Sequence, residues 1–169
     1  QLNRPEEAVA ALEAFNRDYS SPSILSMLGD YYLGEYQDSL AQVHYAEALS
    51  LDGSYIPAIL GLSEVYRHQR KYPDYFRTLE GFFQSEDVPA ETKAMYISNL
   101  TRSLDPKLLQ LHQSEYDEVV QDLAALHPQD STVLSTVAGY YYSTGRVKES
   151  GKWFREVADQ YPESLSHTV

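Results

Sequence analysis

The 169-residue chain has no cysteine, one tryptophan and two methionines, and it is short of positive charge: 13 Lys plus Arg stand against 25 Asp plus Glu, for a formal net charge of −12. Without thiols there is no disulfide framework, no thiolate metal site and no cysteine nucleophile. The compartment stays open, because a helical protein needs no covalent staples. Scarce Lys and Arg argue against nucleic acid or an anionic membrane surface as partner, since both are bound through basic clusters that release counterions. No run of about 18 apolar residues is present, so no segment reads as a membrane-spanning helix. Gln1–Asn16 has neither the basic n-region nor the apolar h-region of a signal peptide. The acid excess is larger in residues 1–89, with 14 acidic against 6 basic, than in residues 90–169, with 11 against 7. Such an excess reads as a solvated face, or as a preference for basic partner segments.

What the chain does have is a period. Leu25, Leu28, Tyr32, Ala41, Tyr45 and Ala48 are followed 34 residues later by Ile59, Leu62, Tyr66, Tyr75, Leu79 and Phe82. A third copy begins in phase with Lys93, Tyr96 and Leu100, but Leu134, Val137 and Tyr141 come 41 residues after these instead of 34, so seven residues are inserted. Ser150, Phe154, Val157 and Pro162 match Tyr116, Val120, Leu123 and Pro128 at 34 again, which places the insertion near 103–115. A fixed period of this length is the mark of a stacked repeat.

Apolar residues three and four apart, as in Leu25, Leu28, Tyr31 and Tyr32, define helices, and no segment alternates with period two. An all-α chain is predicted, with helices at about 5–18, 22–34, 37–50, 54–69, 72–84, 89–103, 106–112, 115–126, 131–144 and 147–160. Pro22, Pro73, Pro89 and Pro106 read as helix starts, where a missing N–H costs nothing. Asp130 and Ser131 offer an N-cap for the helix that follows. Short connections make neighbouring helices antiparallel.

These residues resemble the tetratricopeptide repeat, a 34-residue helix-turn-helix. Leu25, Leu28-Gly29, Tyr32, Ala41, Tyr45, Ala48 and the turn Leu51-Asp52-Gly53 follow its order of bulky, small and aromatic positions, as do Leu134, Val137-Ala138, Tyr141, Gly145, Ser150, Phe154 and Pro162. The overall texture is most similar to bacterial tetratricopeptide proteins of the exported kind. Gly29, Ser63 and Ala138 would let the two helices of a unit approach closely, with Tyr32, Tyr66 and Tyr141 between successive units. Departures are Tyr75 and Phe82 in copy two, Ile97 in copy three, and a turn at Gly34-Glu35-Tyr36 that reads as shortened.

The resemblance implies an α-solenoid, a right-handed superhelix of antiparallel helix pairs, with about four repeats and partial ones at the ends. Residues 1–169 are expected to form a single domain cut from a longer array. Within it, 5–20 is the second helix of a partial repeat, 22–55, 56–89, 90–130 and 131–164 are repeats, and 165–169 starts a further helix. It also implies a non-catalytic module that binds a protein or peptide in a concave groove lined by first helices. An assembly role, stacking through the repeat ends, is the alternative, and the oligomeric state stays open.

By phase the groove slots are Ser23, Ser26, Asp30 and Leu33; Pro57, Leu60, Glu64 and Arg67; Glu91, Ala94, Ser98 and Thr101; and Thr132, Ser135, Gly139 and Tyr142, with Arg102 just outside. Asp30, Leu33, Leu60, Glu64, Arg67, Ser98, Arg102 and Tyr142 are the expected partner contacts. Consecutive helical residues point about 100° apart, so Tyr140, Tyr141 and Tyr142 cannot all enter one core. Tyr141 is the core member by phase, and Tyr142 the exposed anchor. No catalytic, metal or cofactor motif is found. Glu64 and His68 form an i, i+4 pair that reads as a surface polar contact before it reads as a general base. The inserted Leu104–His112 stretch is amphipathic enough for a short extra helix.

Overall fold

The computed structural model describes residues 4–162. Among these there are ten helices and no strand: α1 (Arg4–Asp18), α2 (Pro22–Gly34), α3 (Asp38–Leu51), α4 (Ile56–His68), α5 (Tyr72–Gln84), α6 (Ala90–Ser103), α7 (Pro106–Leu111), α8 (Gln113–Leu126), α9 (Ser131–Ser143) and α10 (Val147–Gln160). The helix expected from 165 onward lies outside the described residues. Pro22 and Pro106 open their helices and Pro73 is the second residue of α5, as the spacing predicts. Pro89 stands one residue earlier, at the N-cap of α6. The Asp130 carboxylate accepts from the N–H groups of Thr132 and Val133, satisfying two donors that the start of α9 would otherwise leave unpaired.

The chain divides into two compact units, Gln1–Ser85 and Glu86–Val169. In the first, α2 pairs with α3 and α4 with α5, α3 packs on α4, α2 lies beside α4, and α1 rests on α2. Tyr32 of α2 donates its hydroxyl to Glu13 of α1. The core cluster is Leu25, Ala41, Tyr45, Ala48, Ala58, Leu62 and Val65. Tyr45 is 0% exposed. Its ring fills the space between α2 and α4 because both carry glycine there: a Cβ on Gly29 would lie 2.6 Å from the ring, and one on Gly61 2.2 Å. The phenol still finds a partner, donating to Asp30 Oδ1 at 2.6 Å, as a buried hydroxyl must. Burying a side chain of this size contributes about 2 kcal/mol or more.

The second unit is built differently. α9 pairs with α10, as α2 does with α3, but α6 packs chiefly on α9 and only lightly on α8, its sequence-predicted partner. Two causes are visible. Ile97, buried, occupies the slot held by Gly29, Ser63 and Ala138 in the other copies, so the close approach of a pair is blocked. The inserted residues form α7, which separates α6 from α8. α8 is tied to α9 instead: Tyr140 donates to Asp117 Oδ1 at 2.8 Å, Arg146 pairs with Asp117, and Gln121 donates to the Tyr141 hydroxyl at 2.9 Å. The Arg146 guanidinium also stands 4.6 Å from the Tyr141 ring centre, within cation–π range. Lys93 takes the slot of Leu25, Ile59 and Leu134 and is 3% exposed. Burial pushes its ammonium pKa down, opposed by the Glu86 carboxylate.

The repeat is clearest in the backbone. Tyr36, Arg70 and Gly145 have φ of 58°, 58° and 79° and occupy equivalent positions. After each, the N–H of Gln37, Lys71 or Arg146 donates to the carbonyl of Tyr32, Tyr66 or Tyr141, at 2.8, 2.9 and 2.8 Å. Each is a left-handed helix stop with a six-to-one bond, and the residue that donates it is also the N-cap of the next helix. The turn at Gly34-Glu35-Tyr36 is therefore not shortened. It has the length of the others, and Tyr36, not Gly34, takes the left-handed conformation. The equivalent residue in copy three, Leu104, has φ −73° and extended ψ, and the chain runs on into α7.

Two glycines separate packing from propensity. Gly61→Ala is expected to lower stability by about 1–3 kcal/mol, because the added methyl overpacks the Tyr45 ring. Gly139→Ala, with nothing within 4 Å of its Cβ, is expected to raise it by about 0.5–1 kcal/mol through helix propensity. Urea unfolding of the two variants checks the pair of signs.

Candidate functional site

In the first unit the expected contacts lie on α2 and α4, and their charges are largely used internally. Asp30 is exposed, but its carboxylate takes the Tyr45 hydroxyl. Arg67 makes two hydrogen bonds to Glu64, one of 2.8 Å from Nε, while His68 Nε2 lies 3.1 Å from the same carboxylate. His68 Nδ1 reaches Asp38 at 3.5 Å. The bonds from Arg67 hold the Glu64 carboxyl below its ordinary 4.5, with burial opposing. A carboxylate held this way is a poor proton acceptor near neutral pH, so the Glu64–His68 pair is a polar tie along α4. Leu33 is half-buried against the core cluster, and Leu60 is half-buried.

In the second unit, Ser98 and Arg102 of α6 meet α9 across an open depression of about 560 Å³. Thr101, Ser131, Thr132, Ser135, Thr136 and Ser143 add hydroxyls, with Gly139 and the Tyr140 ring completing the lining. Tyr142 is 64% exposed and does not line this depression, while Tyr141 is buried as its phase predicts. Tyr140 is buried as well, through its bond to Asp117. Two of the slots read from phase are not on the surface: Ser26 and Ala94 are buried.

Ser98, Thr101, Thr132, Ser135 and Gly139 of this lining are groove slots by phase, with Arg102 just outside. Ser131 and Ser143 extend the Ser135–Gly139 face at i, i+4 spacing, and Thr136 that of Thr132, and these are not among the slots. Among the described residues no cluster of His, Cys, Asp and Glu could hold a metal ion, and no helix is long and apolar enough to cross a membrane. What these faces can do chemically is donate and accept hydrogen bonds and pair charge.

The Glu64–Arg67 contact carries a pH sign. A carboxyl whose folded pKa is lowered adds stability that is present above its unfolded value of 4.5 and is lost as pH falls through the folded one. Wild type is therefore expected to lose stability relative to Glu64→Gln as pH drops from 6 to 3, with the difference flat above 6. The effect should be small for a partly exposed pair, and thermal melts across that range check it.

No protein-family model matches the chain, and no curated protein matches it. Solved structures do. The crystal structure of MamA superposes with a TM-score of 0.56 at 14% identity, covering 96% of this chain and 92% of that one. MamA 41-end from Desulfovibrio magneticus RS-1 gives 0.53 at 16% identity, covering 96% and 88%. A MamA RS-1 double mutant gives 0.55 at 16%, again covering 96% and 88%. At these identities the likeness is one of fold alone. The chain has the all-helical, tetratricopeptide-like fold of these structures.

Proposed function

We propose that the chain is a non-catalytic interaction module of the tetratricopeptide type, which takes a peptide or protein partner on the exposed faces of its first helices. The observation that carries this reading is the α6–α9 depression, whose roughly 560 Å³ is open to a chain segment. Hydroxyls on both walls suit an extended backbone, whose N–H and C=O groups need partners along their length. Tyr142, exposed on the same helix, is an aromatic anchor with a polar tip. The fold shared with MamA supports a scaffold role without naming a partner.

A second reading, self-association through the repeat end, is favoured by α10. Phe154 and Val147 are exposed there, and a depression of about 500 Å³ between α8, α9 and α10 is lined mainly by apolar groups of Ala124, Ala125, Pro128, Leu134 and Trp153. The occupant would be a second copy of the chain.

Peptides selected from a display library on the full chain, then measured by titration calorimetry, decide between the two. Gly139→Trp, which fills the depression, and Tyr142→Ala are each expected to weaken the selected peptides by about tenfold or more. Tyr36→Ala, at an 88% exposed residue on the turn after α2, should change nothing. Loss of binding only in Phe154→Ala, together with a concentration-dependent sedimentation coefficient, would favour self-association.

A further inference from the structure

We infer that the α6–α9 depression selects a peptide segment bearing an anionic side chain, with Arg102 as its charge anchor; this rests on the interaction reading above and gives its partner a chemistry. In a chain of net charge −12, no carboxylate lines this depression. α9 itself has no acidic residue, and Asp130 at its N-cap accepts from the helix's own N–H groups of Thr132 and Val133. Arg102 is exposed at the edge and forms no ion pair among the described residues. Its guanidinium bonds only neutral acceptors, the Ser98 carbonyl at 3.3 Å and Asn99 Oδ1 at 2.8 Å. Arg67, Arg77 and Arg146 each have a carboxylate, whereas Arg17, Arg70 and Arg155, like Arg102, form no ion pair among the described residues. What sets Arg102 apart is its place: it is the basic residue that lines this depression.

The hydroxyls point the same way. Thr101 donates to the Ile97 carbonyl, but Ser98, Ser131, Thr132, Ser135 and Thr136 have no side-chain hydrogen bond among the described residues. A guanidinium beside free hydroxyl donors is a setting for an oxyanion, because each contact with a charged acceptor is about twice as strong as with a neutral one. The two bonds of Arg102 to Ser98 and Asn99 hold the side chain along α6, so part of its ordering cost is met before a ligand arrives. The acid excess of the whole chain acts against an anionic segment at long range, but it is screened beyond about 8 Å at physiological salt. Selection is therefore set at contact. The expectation of a basic partner, drawn from net charge, does not carry to this face.

Short labelled peptides of one backbone sequence, with glutamate, phosphoserine, serine or lysine at the central position, are titrated into the full chain and followed by fluorescence anisotropy. The glutamate or phosphoserine peptide is expected to bind at least about tenfold more tightly than the serine and lysine peptides, and Arg102→Gln to erase that difference. Whichever anionic peptide binds better names the source of the oxyanion. Arg102 is exposed, so the variant should keep its helical circular dichroism, and Arg77→Gln, far from this face in sequence, controls for net charge. Equal affinity for all four peptides, preference for lysine, anionic preference that survives Arg102→Gln, or no binding of either anionic peptide would overturn the inference. Binding of the serine or lysine peptide that is lost in Gly139→Trp would leave the interaction module intact and remove only its charge selectivity.

Discussion

The antiparallel pairing of helices hangs on the left-handed residue that closes α2, α4 and α9. At Tyr36, Arg70 and Gly145 the chain reverses through one residue of positive φ, and the following N–H reaches back to the carbonyl of an aromatic. The donor of that bond is the N-cap of the next helix, so no free residue is left to let the angle drift. Tyrosine and arginine in this conformation each cost about 1–2 kcal/mol relative to a relaxed backbone. The packing of both helices against a common core over-determines the turn and holds it there.

Where that turn is missing, the architecture changes and the candidate site appears. Leu104 does not reverse the chain, α7 is interposed, and Ile97 keeps α6 from closing on α8. α6 then lies along α9, and the hydroxyls of these two first helices face one another across an open depression. The tie of Asp117 to Tyr140 and Arg146 keeps α8 in place without its usual partner. In the first unit the same positions are filled: Tyr45 occupies the space between α2 and α4, and Asp30, Glu64 and Arg67 are engaged with groups of their own unit. The two faces thus differ in how many of their polar groups are left for a ligand.

Much of this was legible in the residues. The 34-residue phase located the helices to within about two residues, proline marked their starts, and the break in phase announced the short helix α7. The order core Tyr141, exposed Tyr142 followed from helical geometry. Three features were not legible, each for a physical reason. Non-glycine residues at the left-handed turns carry no sequence signal, which is why Gly34 drew attention away from Tyr36. Gly61 lies outside the repeat's small-residue slots, and its role depends on the ring of Tyr45 arriving from another helix. The loose packing of α6 on α8 reflects a competition between two packings that local periodicity does not register, although Ser98, Thr101, Thr132, Ser135 and Gly139 of the depression are groove slots by phase.

Amide hydrogen exchange at single-residue resolution tests the recurring turn most directly. The N–H groups of Gln37, Lys71 and Arg146 should all be protected, each as strongly as the helix interiors beside it, while the N–H of Asp105, which follows Leu104 at the position where the turn is lost, should exchange freely. Rapid exchange at Gln37, Lys71 and Arg146, or protection at Asp105 equal to theirs, would contradict a fold held in phase by three turns and released at the fourth.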